Sequence, residues 1–187
     1  MNTDSLKKYL FAYLSGAATL VIGLCLLGRR FWCACGKPMI FAWNPASEHN
    51  SQHIVDFYSP SHFIHGLCFY LLFSRSRLNA FARFVCILVL ESSWELLENS
   101  SIIIERYRAV TASLGYSGDS IANSLSDLSF CALGFLIASR VRWQVSVGLF
   151  VALELGTTMM IRDGFILNVI MLLWPMEAIR HWQGTLG

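Results

Sequence analysis

Three carboxylates close an otherwise apolar stretch, Phe81 to Leu90, in the run Glu91-Ser-Ser-Trp-Glu95-Leu-Leu-Glu98-Asn99. Glu91, Glu95 and Glu98 fall at i, i+4 and i+7, so they share one helix face. At about 1.5 Å of rise per residue, Glu91 sits roughly 10 Å deeper than Glu98. An isolated carboxylate at such depth is expensive, so it must face a partner, a cation or a wet cavity. Partners of the right kind recur along the chain. His62 and His65 share a face at i, i+3, and His49 and His53 do so at i, i+4 if their segment is helical. Asp119, Asn123 and Asp127 repeat at four-residue spacing, and Asp56 and Asn168 are further polar candidates.

Imidazole and carboxylate together suit zinc, iron or manganese, and a dication explains how several acids tolerate one place. His62, His65, Glu95, Asp119 and Asp127 are the expected metal ligands. Glu91, Glu95 and Asp127 are the candidate catalytic carboxylates. Arg106, Arg108 and Arg162 are candidates to clamp an anionic headgroup, with Asn123 beside them. The spacing matches neither His-Glu-x-x-His nor the repeated Glu-x-x-His of di-iron bundles. A second reading therefore stands beside the metal: a hydrogen-bonded network gluing helices, each acid protonated or paired to arginine. Asp119 follows Gly118 and is equally explained as a helix cap. Glu98 equally marks a helix end, whereas capping does not explain Asp127, two turns deeper. Trp94, Trp143 and Trp174 read as interfacial or packing aromatics. No Ser-His-acid order or oxyanion device supports serine catalysis.

The elements that must position these residues follow from composition. The 187 residues are 55% hydrophobic and 14% charged, with mean hydropathy +0.53, against about 25% charge in a soluble domain. Apolar runs of roughly 15 to 20 residues match a bilayer core about 30 Å thick. Continuous runs argue for helices over a barrel. The expected fold is all-α: a polytopic membrane bundle of about six transmembrane helices, one domain over residues 1–187. The spacing predicts helices over 9–27, 59–74, 81–98, 119–138, 143–161 and 165–179, with Ser59 as cap and Pro60 in the first turn of the second. Residues 31–58 and 102–120 read as connections. A net charge of +2 without a basic tract excludes a nucleic-acid partner. Membrane lipid is the expected partner.

Cys25, Cys68, Cys86 and Cys131 lie in apolar runs and read as small buried hydrophobes. Cys33-Ala-Cys35 lies in the long connection, where a metal pair, a redox pair and plain packing all remain open. A disulfide across one residue would be strained. Lys7, Lys8, Arg75, Arg77, Arg83, Arg140, Arg142 and Arg180 collect on one side, which puts both termini in the cytoplasm by the positive-inside rule. In that alternating layout the histidines, acids and Asn168 all fall in the outward half of the membrane. Helix glue gives no reason for such sidedness.

The runs Cys33-Ala-Cys-Gly36, Phe57-Tyr-Ser-Pro-Ser-His-Phe-Ile-His-Gly66, Glu91-Ser-Ser-Trp-Glu-Leu-Leu-Glu-Asn99, Ile104-Glu-Arg-Tyr-Arg108, Gly118-Asp-Ser-Ile-Ala-Asn-Ser-Leu-Ser-Asp127 and Leu167-Asn-Val-Ile-Met-Leu-Leu-Trp-Pro175 carry a likeness. Over Trp32 to Gln183 the chain resembles an uncharacterised family of bacterial inner-membrane proteins common in alphaproteobacteria. It departs from that pattern with Phe57 in place of Trp and Gly164 in place of Asn, neither of which touches the polar set. A more distant likeness runs to the VanZ-like and YjdF-like membrane families. The resemblance implies a plasma-membrane location and no established activity. From the residues, the leading expectation is a metal-dependent membrane hydrolase on a lipid or lipid-linked substrate. A proton-coupled transporter and a non-catalytic lipid- or partner-binding factor are the alternatives.

Overall fold

The computed structural model describes residues 3–184 apart from 38, 46 and 112–114. Both termini, and with them the ends of the expected domain, lie outside the described residues. Eight helices form among these residues: α1 Thr3–Leu26, α2 Ser59–Ser74, α3 Ala80–Glu98, α4 Ser101–Val110, α5 Ile121–Ala138, α6 Trp143–Ile161, α7 Phe165–Leu173 and α8 Glu177–Gly184. There is no strand among them, only an isolated parallel bridge between Phe41 and Val55 in the connection after α1. Three helices, α1, α5 and α6, are long and apolar enough to cross a membrane. The chain is thus a helical membrane bundle.

Six full spans do not emerge. α2 has 16 residues and would reach about 24 Å. α3 has 19 residues, but its acids lower its apolar character. The expected sixth helix is broken: Pro175 cannot donate a backbone N–H and biases Trp174 toward extended backbone, here φ −140° and ψ 78°. The resulting α7 has nine residues, about 14 Å, too short for a bilayer core. The connection over 102–120 is also half helix. Ser100 accepts from the Ile103 amide at 3.5 Å to open α4, and Ile104, Tyr107 and Val110 at three-residue spacing form its buried stripe.

Local chemistry explains the other ends. Asn79 caps α3 through the Ala82 amide at 2.9 Å, and Ser120 caps α5 through the Asn123 amide at 3.1 Å. Ser59 is not the cap of α2. Asp56 takes that role from outside the helix, its Oδ1 accepting from the Tyr58 and Ser59 amides at 2.7 and 3.0 Å. Glu154 of α6 reaches across to the first amides of α7, Phe165 and Ile166, at 3.0 and 2.9 Å, satisfying groups that helix geometry leaves orphaned.

The closest packing is between α2 and α5. A Cβ placed on Gly66 would lie 2.0 Å from the Cys131 carbonyl oxygen, and one on Gly134 would lie 2.2 Å from that of Phe63. Only glycine at both positions lets the two backbones touch, the small-residue device of membrane helix pairs. Alongside the acids and beneath them, α1, α3 and α5 enclose Leu20, Leu24, Phe84, Ile87, Leu128 and Phe135 in one apolar core.

Candidate functional site

The site is built where the start of α2, the end of α3 and the start of α5 meet, because antiparallel neighbours bring those ends together. His62 is the hub. Its Nδ1 lies 2.7 Å from Glu91 Oε1 and 3.2 Å from Glu95 Oε1, and its Nε2 lies 3.9 Å from Asp127 Oδ2. His65 Nδ1 stands 2.9 and 3.2 Å from the two Glu91 oxygens. One imidazole nitrogen donates a single proton, and that of His62 is committed to Glu91. Both Glu95 oxygens therefore remain buried without a hydrogen bond, as do Asp127 Oδ1, Glu98 Oε2 and Asn123 Nδ2. Glu91 and Glu95 are fully buried, and Asp127 is 3% exposed.

Unsatisfied buried carboxylate oxygens are costly, and several together call for protons or a cation. Two groups here each offer ligand atoms within 4.8 Å of one another: His62, His65 and Glu91, and His62, Glu95 and Glu98. His62 belongs to both. Beside them opens a cavity of about 260 Å³ whose polar side includes His62, His65, Glu98, Asn123 and Asp127, and whose apolar side includes Phe69, Trp94, Phe165 and Leu172. Asn168 of α7 also lines it, as does Asp56. Trp94 is thus a wall of the cavity as well as a packing aromatic, its ring 6.3 Å edge-on from His65.

Asp119 stands apart from the metal-ligand groups. Asn99 donates to its Oδ2 at 3.0 Å and accepts from its amide at 2.7 Å, while Tyr116 donates to Oδ1 at 3.0 Å. Both carboxylate oxygens already have donors, so Asp119 is a lining and scaffolding residue. Burial and the facing Asp56 push its pKa up to about 6.

The three arginines go elsewhere. Arg106 donates from Nε and Nη2 to the Leu172 carbonyl at 3.1 and 3.0 Å, fastening α4 to α7. Arg108 donates to the Tyr116 carbonyl at 2.6 Å. Arg162 donates to the Trp182 carbonyl at 3.0 Å and stacks over its ring. None lines the cavity. They brace backbone, and the expected headgroup clamp is not assembled from them.

His49 and His53 join a different group. Cys33 Sγ lies 3.3 Å from His49 Nδ1, and Cys35 Sγ lies 3.9 Å from His53 Nε2. Burial pushes the Cys33 thiol up, while the hydrogen bond with Cys33 pulls the Cys35 thiol down. Burial, then the neighbouring His49, pulls His53 down.

Tyr58, Asn99, Tyr107 and Tyr116 are the residues that sequence reasoning passed over. Tyr58 donates to Asp163 at 3.0 Å, and Tyr107 lines the main cavity beside Glu98. Their signal was faint: tyrosines and an asparagine next to named acids, in connections whose path the sequence does not show.

The chain is similar to several proteins. The family described as "Protein of unknown function (DUF2585)" matches residues 24–185. A "UPF0314 protein" from Paracoccus denitrificans is 49% identical over 86% of this chain and 84% of its own. One from Agrobacterium fabrum is 45% identical over 89% and 85%, and one from Novosphingobium aromaticivorans is 44% identical over 94% and 91%. No solved structure matches. With the family model covering most of its length, the chain belongs to the DUF2585 family, and it is homologous to UPF0314 proteins of alphaproteobacteria.

Proposed function

We propose that this protein is a dication-dependent hydrolase of the bacterial inner membrane, acting on a lipid or lipid-linked substrate from the outer face. The observation that carries the reading is the set of buried carboxylate oxygens around His62 that have no hydrogen-bond donor, both on Glu95 and one each on Glu98 and Asp127. Six acids, Asp56, Glu91, Glu95, Glu98, Asp119 and Asp127, crowd the cavity and its floor, against the imidazoles of His62 and His65 and no arginine on its wall. A dication balances that charge with the ligand types it prefers.

His62 and His65 with Glu91, Glu95, Glu98 and Asp127 would hold the ion, which when bound supplies Lewis acidity and a water of lowered pKa. A carboxylate left free, Glu95 or Asp127, takes the proton of the attacking water. The water oxygen bonds to the phosphorus or carbonyl carbon, and the bond to the leaving oxygen breaks. The same carboxylate then returns that proton to the leaving oxygen, while His62 would stay with the ion. The apolar wall of Phe69, Trp94, Phe165 and Leu172 suits an acyl or prenyl chain beside a polar headgroup. Arg75, Arg77, Arg83, Arg140 and Arg142 lie in or beside the loops at the opposite end of α2, α3 and α5, which supports a cytoplasmic location for that end and for both termini.

The apolar side chains of Phe84, Ile87 and Phe135 beneath the acids offer no polar path onward and weigh against a proton-coupled carrier. The test is hydrolysis of a panel of lipid phosphates and esters by purified protein in detergent. Activity that chelation removes and manganese or zinc restores is expected, and Glu95→Gln should abolish it. Metal-independent turnover, or full activity in Glu95→Gln, would remove the reading.

A further inference from the structure

The connection between α1 and α2 carries a second constellation that the reaction above does not use. One ligand atom each from Cys33, Cys35, His49 and His53 lies within 4.8 Å of all the others. The closest approaches are 3.3 Å for Cys33 Sγ to His49 Nδ1 and 3.9 Å for Cys35 Sγ to His53 Nε2. A tetrahedral zinc with bonds of about 2.3 Å to sulfur and about 2.0 Å to nitrogen has edges of roughly 3.3–3.8 Å, so small side-chain adjustments close the shell. Neither thiol is in a disulfide.

The scaffold is shaped for this. The Cys35 amide points to Cys33 Sγ at 3.5 Å, a bond that favours thiolate. Gly36, at φ +65°, turns the chain back so that its amide meets the Cys33 carbonyl at 3.1 Å. Trp32 donates its indole N–H to the Lys37 carbonyl at 3.0 Å and packs edge-on against His53 at 5.5 Å between ring centroids. Cys33 and His53 are buried, whereas Cys35 borders a cavity that also touches His49 and gives an ion its way in.

We propose that Cys33, Cys35, His49 and His53 form a structural zinc-type site, distinct from the carboxylate–histidine site, that clips the α1–α2 connection shut. Two thiolates and two imidazoles make a neutral complex with a dication, and soft sulfur ligands select zinc over magnesium or calcium. The clip bears on the other site. The same connection contributes Asn50, Ser51, Asp56 and Tyr58 to the main cavity wall. Its Arg30 and Phe31 carbonyls accept the first amides of α5, from Ile121 and Ala122, at 2.9 and 3.1 Å. Closing a loop of this length by metal ligation removes much unfolded-state freedom.

The experiment uses the full chain in detergent micelles, stripped by chelator under reducing conditions and titrated with cobalt(II). One equivalent should bring the thiolate-to-cobalt charge-transfer absorption and a tetrahedral d–d band, and should protect two thiols from a thiol reagent. Cys33→Ser with Cys35→Ser should abolish the charge-transfer band and His53→Ala should weaken cobalt binding and alter the d–d band, while Glu95→Gln with Asp127→Asn should keep both. That last arm separates failure of this site from failure of the hydrolase reading. No thiolate band and no thiol protection in folded wild type would overturn the proposal, as would a band that survives Cys33→Ser with Cys35→Ser. A Cys33–Cys35 disulfide in protein purified without reductant that cobalt(II) cannot replace after reduction would overturn it too.

Discussion

Gly66→Ala is the smallest change that should take the site apart. Gly66 follows His65 directly and lies one turn after His62. A Cβ there meets the Cys131 carbonyl oxygen at 2.0 Å and the Phe135 amide nitrogen at 2.6 Å, where ordinary contact begins at 3.4 Å. The shortfall of about 1.4 Å falls on backbone, which has no rotamer to yield. α2 and α5 must part, and His62 Nε2 must move beyond its 3.9 Å from Asp127 Oδ2. Overpacking of this kind costs about 3 kcal/mol, and the better helix propensity of alanine returns about 1 kcal/mol. The net loss of about 2 kcal/mol should lower Tm by about 4–8 °C and weaken metal retention. Thermal unfolding in detergent, followed by circular dichroism, measures it. Gly148→Ala is the control, since nothing stands within 4 Å of its Cβ, and it should hold or raise Tm. A Gly66→Ala protein as stable as the Gly148→Ala control would refute the claim that glycine-mediated contact of α2 and α5 sets the site.

Asp163 is buried, and burial pushes its pKa up to about 6, against the pull of the Gly164 amide and Tyr58 hydroxyl, from an ordinary 3.8. The raised folded value means that its stabilising contribution is full below about pH 4 and is lost as pH rises through about 6. Asp163→Asn keeps an acceptor for the Gly164 amide but turns its own NH2 toward the Tyr58 oxygen, and should flatten that part of the stability–pH curve, a change of about 3 kcal/mol. Arg106→Met should lose about 1–2 kcal/mol from the two bonds to the Leu172 carbonyl while leaving substrate KM unchanged, because Arg106 is not on the cavity wall. A large rise in KM would restore it as a headgroup clamp. Glu154→Ala should cost about 1–3 kcal/mol by orphaning the Phe165 and Ile166 amides, and should expose α7 to proteolysis before the rest of the bundle.

The sequence was most legible where periodicity and depth acted together. Glu91, Glu95, Asp127, His62 and His65 meet as their helical registers require, since the ends of alternating helices coincide. Asn168 and Glu98 reach the same cavity for that reason. Span number was harder, because Pro175 divides one apolar run into α7 and α8, and the α4 stripe hides among the charges of Glu105, Arg106 and Arg108. Arg106, Arg108 and Arg162 were read as clamps for an anionic headgroup, and the sequence shows nothing of the backbone partners they take. Here backbone carbonyls hold them, Leu172 and Trp182 near helix ends and Tyr116 in the connection before α5. Asp119 does not cap α5, since Ser120 does; its oxygens take Asn99 and Tyr116 instead. The Cys33, Cys35, His49 and His53 group was visible only as two separate pairs, since nothing local says that a 31–58 connection folds back on itself.

Metal content measured in a Cys33→Ser, Cys35→Ser background isolates the central claim. The protein purified in detergent should hold close to one equivalent of zinc, iron or manganese at the carboxylate–histidine site. Adding Glu95→Gln and Asp127→Asn should empty it without unfolding the bundle. A folded background protein with no metal even after incubation with each ion, or a metal content unchanged by the added substitutions, would contradict the account and leave a protonated carboxylate–histidine network in its place.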